Sequence, residues 1–108
     1  MTPPRRLLVS VHTYAIVWDE SGLVGRHADN RGSTDKDELL IALDARLPAS
    51  RQRETLLHEV LHAAWGSTSL RSTGAHEHEE VVVDALAPVL LDALRRNPAL
   101  VAFLLANR

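Results

Sequence analysis

Cysteine is absent from the 108 residues. That excludes disulfides and any thiolate-bound metal, so a metal site here must be built from His, Asp and Glu. A surplus of either charge is missing too. Twelve Lys and Arg stand against fourteen Asp and Glu, and the net charge of −2 offers no basic footprint for nucleic acid. No apolar run reaches the length of a membrane-spanning helix. The run Arg5-Arg6-Leu7-Leu8-Val9 briefly imitates a secretion signal, but His12 and Thr13 break it and no small-residue cleavage site follows. Internal repeats and low-complexity tracts are also lacking. These absences lead us to expect a cytoplasmic, monomeric protein with neither membrane nor nucleic-acid partners. With 45% hydrophobic residues, residues 1–108 suit one domain around a modest core.

What is present centres on His58-Glu59-Val60-Leu61-His62. On a helix, histidines at i and i+4 lie one above the other on the same face. Two imidazoles so placed can bind one Zn²⁺, with Glu59 about 100° further round to hold a water against it. Leu56, Leu57, Val60, Leu61, Ala63 and Ala64 flank the motif, so the helix is expected to be buried on nearly every other face. Histidines and a glutamate in such a helix need partners. One metal ion satisfies both histidines, whereas a pair of core histidines would each need a backbone acceptor.

A catalytic zinc keeps three protein ligands and one open position. The third must come from elsewhere, and His76-Glu77-His78-Glu79-Glu80 is the dense cluster available. In part this is a solvated acidic first turn of a helix, favoured by the helix dipole. Glu80 is preferred as ligand because Asp84 follows one turn later, where it can accept the free ring N–H of a ligating histidine. Glu79 has Val83 in the equivalent place. His78, His76 and Glu79 stay open as alternatives, and Glu77 behind them.

In chain order, Arg6 to Asp19 reads as one long strand, and Leu23 to His27 as a short partner after a turn at Glu20-Ser21-Gly22. Residues 28–37 read as a loop and Glu38 to Asp44 as a third strand. The motif helix starts at Leu47-Pro48-Ala49-Ser50, with Ser50 or a nearby residue as N-cap, and closes at Gly66. A second helix spans about His76 to Arg96, with a core stripe through Val82, Leu86, Val89 or Leu90 and Ala93, and with Pro88 expected to kink it. Asn97-Pro98 breaks it, and Leu100, Phe103 and Leu104 form the stripe of a short last helix expected to pack on the body. Strands first and helices after make the fold α+β, with about three strands in a small antiparallel or mixed sheet. Tyr14, Trp18 and Trp65 are expected to be core or rim packing.

His58-Glu59-x-x-His62, followed by Glu80-x-x-x-Asp84 on the next helix, resembles the gluzincin metallopeptidases. The small size is similar to minimal gluzincins and to ImmA/IrrE-type and phage-encoded zinc peptidases. The likeness covers roughly residues 38–96. The metzincin pattern does not fit, since Trp65 stands where its glycine is expected and Thr68 where its third histidine would be. A SprT-like three-histidine site stays open through His76 or His78.

The resemblance implies one zinc ion and a peptide or protein substrate, with Glu59 as general base passing a proton from water to the leaving amine. It further implies that the strand at 38–44 is an edge strand that holds an extended peptide. Larger gluzincins add a His or Tyr that stabilises the oxyanion; here Tyr14, His12, His76 and His78 are the candidates, and spacing does not choose among them. The alternative is a non-catalytic regulatory or binding module of phage or bacterial type, with a structural or vestigial zinc site.

Overall fold

The computed structural model describes residues 2–22, 24 and 31–106. Four strands precede three helices: β1 (Arg6–Val9), β2 (His12–Asp19), β3 (Gly32–Asp35), β4 (Leu40–Asp44), α1 (Ala49–Gly66), α2 (Glu79–Arg96) and α3 (Pro98–Leu104). The fold is α+β, as expected, on a mixed sheet of order β1-β2-β4-β3. No helix among the described residues is long and apolar enough to cross a membrane.

Several expectations need correction. The run 6–19 is not one strand but an antiparallel hairpin that pairs Val9 with His12 and turns at Ser10-Val11. Ser10 takes φ 55°, a left-handed conformation that usually calls for Gly or Asn, so the sequence carries no signal for the turn. The expected strand at 23–27 lies outside the described residues apart from Val24. The presumed loop contains β3, whose Gly-Ser-Thr-Asp has none of the apolar alternation of a strand. It forms by pairing with β4 alone, through a hairpin in which Leu39 takes φ 55°. Consequently β4 is interior, parallel to β2 and antiparallel to β3, and the edge strands among the described residues are β1 and β3.

One face of the sheet is covered. Tyr14, Ile16, Ile41 and Leu43 alternate onto it and meet Ala63 of α1. Tyr14 and Trp65 are thus buried packing residues, and Trp18 is partly buried against the cluster that holds Tyr14. α1 is half-buried rather than enclosed, because one sheet and one neighbouring helix cover only part of its surface; Glu59, Ala63 and Trp65 alone are buried. Pro48, two residues before Ser50, occupies its N-cap position without a side-chain cap, and Gly66 is its last residue, as expected. α2 continues through Pro88 and turns a different stripe inward from the expected one: Glu79, Val83 and Ala87 are buried, while Leu86, Val89 and Leu90 are exposed. α1 and α2 pack against each other, with Val83 and Ala87 among the buried residues of α2. α3 buries none of its residues, and Leu100, Phe103 and Leu104 are exposed instead of packed on the body.

At the end of β4, Asp44 is buried and accepts from Arg46 N–H at 2.9 Å, Arg46 Nε at 3.0 Å and Arg46 Nη2 at 3.1 Å. The Arg46 side-chain bond, then its backbone bond, hold the Asp44 carboxyl below the usual range. A carboxyl depressed by folding stabilises the protein above its unfolded-state pKa of about 4, and that contribution is lost as pH falls through the lower folded-state value. Asp44→Asn should therefore lower the melting midpoint at neutral pH and flatten its fall below about pH 4. Thermal melts of both proteins across the acid range check this.

Candidate metal centre

α1 and α2 lie side by side, and their register brings together four residues, two from each spacing pattern. His58 Nε2 and His62 Nε2 stand 3.1 Å apart. The Glu80 carboxylate reaches both, with Oε1 3.2 Å from His58 Nε2 and Oε2 2.9 Å from His62 Nε2. Three donor atoms around a tetrahedral ion with bonds of ~2.1 Å would stand roughly 3.4 Å apart, so the spacing fits a metal ion. Among the described residues His58, His62 and Glu80 form the group that could hold one. Glu80 remains exposed, as a residue at the mouth of an open site should be.

Each histidine has an acceptor behind it. Asp84 Oδ1 lies 3.3 Å from His58 Nδ1, the contact expected from the Glu80–Asp84 spacing. His62 Nδ1 lies 2.5 Å from Glu79 Oε2. An ionised carboxylate only accepts, so this contact puts the ring hydrogen on Nδ1 and leaves Nε2 free for a ligand's role. Glu79 is therefore not in the group of three but behind it. Burial pushes its pKa up, but hydrogen bonds from His62 and Lys36 outweigh that and hold it below the usual range.

Glu59 is 5% exposed, and Thr34 Oγ1 of β3 donates to its Oε1 at 2.7 Å. Its other oxygen is 4.0 Å from His58 Nε2. Burial raises the Glu59 pKa, opposed by the Thr34 bond and by both histidines. β3 approaches α1 closely here, and a side chain on Gly32 would crowd its neighbours. A Cβ on Gly32 would stand 3.0 Å from Leu43 Cδ2 and Thr55 Cγ2 and 3.2 Å from Glu59 Cγ.

These residues line a cleft of about 620 Å³ between β3, α1 and α2. Arg31, Gly32, Ser33 and Thr34 supply one wall, so the β3 edge of the sheet borders the candidate ligand group. The other candidates fall elsewhere. His76 accepts from Trp65 Nε1–H at 3.2 Å and faces a second cavity with Arg71 and Asp37. His78 is exposed at the entry to α2, and Tyr14 is 2% exposed in the core. His12 is exposed at the β1–β2 turn. None of the four lines the cleft.

Two participants had escaped the sequence reading. Thr34 was hidden in the presumed loop. Lys36 follows β3, and its Nζ donates to both Glu79 oxygens at 2.9 Å. A signal for Glu79 did exist, since His62 as well as His58 needs an acceptor at Nδ1. Comparison with known proteins finds no match: no family model, curated protein or solved structure corresponds to this chain.

Proposed function

We propose that the protein is a zinc-dependent peptidase of the minimal gluzincin kind, with His58, His62 and Glu80 as ligands and Glu59 as general base. The observation that carries this reading is the convergence of the two Nε2 atoms and the Glu80 carboxylate, with buried Glu59 beside them and a free strand edge alongside. A bound zinc would supply Lewis acidity, lowering the pKa of a water and polarising the substrate carbonyl.

The chain's own residues supply the rest. An extended peptide pairs with the free edge of β3, which sets its scissile bond over the ligands of α1 and α2. Glu59 takes the proton of the attacking water and returns it to the leaving amine. Thr34, from that same strand, keeps the Glu59 carboxylate in one orientation. Asp84 and Glu79 hold the two imidazoles with Nε2 turned inward. The protein acts in this proposal as a cytoplasmic monomer on a peptide or protein.

A second reading, a binding module with a structural or vestigial zinc, draws on the absence of Tyr14, His12, His76 and His78 from the cleft. One experiment separates them. Purified protein is stripped with a chelator, reloaded with Zn²⁺ and given a mixture of unstructured peptides. Cleavage that disappears with the metal and returns with it is the expected result. Stoichiometric zinc uptake without any cleavage would instead favour the binding module.

A further inference from the structure

The chain contains a single lysine, Lys36, against eleven arginines. Its ammonium lies between α1 and α2, behind the ligand group. The stem crosses the end of α1 so closely that a Cβ on Gly66 would fall 2.7 Å from Lys36 Cδ. Both oxygens of Glu79 accept from it at 2.9 Å.

Glu79 needs that cation. It is 9% exposed, and a carboxylate so buried is costly without a charged partner. His62 occupies Oε2. His76 Nδ1 stands 3.2 Å from Oε1, but the same nitrogen faces Trp65 Nε1 at 3.2 Å. An indole N–H can only donate, so His76 Nδ1 is an acceptor there and has no hydrogen for Glu79. Lys36 is therefore the donor that satisfies Oε1.

We propose that Lys36 is a positioning residue for the metal centre: it holds Glu79 so that Glu79 fixes His62 with Nε2 turned toward the other ligands. This rests on the ligand group proposed above. It extends the role of β3 as well. The exposure pattern alternates along the strand, with Gly32, Thr34 and Lys36 turned toward the helices and Ser33 and Asp35 outward. Gly32 gives β3 its close approach, Thr34 orients the base and Lys36 orients a ligand through Glu79. One side of the strand that borders the cleft thus sets both halves of the site.

The test is a double-mutant cycle read in metal affinity, not in activity. Co²⁺ and Zn²⁺ dissociation constants are measured by chelator competition for wild type, Lys36→Met, Glu79→Gln and the double variant. Co²⁺ absorption bands report ligand geometry, and melts of the apo proteins report folding. Lys36→Met should weaken binding about 10–100-fold, the usual effect of losing support behind a ligand, and should alter the Co²⁺ spectrum. Glu79→Gln keeps an oxygen for His62 Nδ1–H and needs no cation, so adding Lys36→Met to it should change affinity little further. The double variant also avoids a stranded buried carboxylate, which keeps the test open if Lys36→Met alone folds poorly. Unchanged affinity and spectrum in Lys36→Met would overturn the role of Lys36 while leaving the ligand group intact. Equal, additive losses from the two substitutions would overturn it too. A wild-type protein that takes up neither metal would overturn the ligand group itself, and this proposal with it.

Discussion

Glu59→Gln should abolish most peptide hydrolysis while leaving the metal in place. Glutamine keeps the shape of the side chain and an oxygen to accept from Thr34 Oγ1, so the close packing of Glu59 against Gly32 survives. What is lost is the ability to take a proton. General bases contribute ~10²–10⁴-fold, so kcat/KM should fall by at least ~10²-fold. Zinc content after dialysis should match wild type, because Glu59 lies outside the group of three. Metal content and hydrolysis, measured on one preparation, check both halves. Retained activity would remove Glu59 from the role of base; lost zinc would make it a ligand.

This separation of base from ligands could be written before the structure because it depends on local spacing. Residues at i and i+4 of a helix share a face whatever surrounds them, so His58 with His62, and Glu80 with Asp84, were legible as pairs. That the two pairs meet depends on α1 packing on α2, and here the sequence misled in part. The apolar positions of α2 are more numerous than one face can bury, and the expected stripe through Val82 and Leu86 was the wrong one. The contacts of Glu79 with His62 gave the inward face away only once the helices were docked. Likewise α3 carries an apolar stripe that the fold leaves exposed.

The strands were harder for a different reason. β3 is four residues of Gly, Ser, Thr and Asp, and its existence depends on a partner strand rather than on its own pattern. Missing it meant giving the free edge to β4, which is interior. It also hid Thr34 and Lys36, whose partners lie 25 and 43 residues away. The spacing of His58 with His62 and of Glu80 with Asp84 could not supply these links, since they belong to a strand outside both pairs. Where chemistry is carried by a helix repeat the sequence speaks, and where it is carried by strand-to-helix contacts it is silent.

The largest loss of metal affinity should follow Glu80→Ala. Among the described residues His58 Nε2 and His62 Nε2 would then remain as the donors of the group, which holds no second carboxylate. Asp84→Ala is the proper comparison, because Asp84 faces Nδ1 of His58 and not the centre. Its loss should cost about 10–100-fold in affinity, and Glu80→Ala should cost clearly more. His78→Ala and His76→Ala should change zinc content little, as His78 is exposed at the helix entry and His76 faces Trp65 and the second cavity. Because metal binding adds to folding free energy, the same order should appear in zinc-dependent melting shifts. A chelator should lower the midpoint of the wild type and leave Glu80→Ala nearly where it was. Zinc retained by Glu80→Ala but lost from His78→Ala would instead assign the site to three histidines, with His78 swung inward at the start of α2.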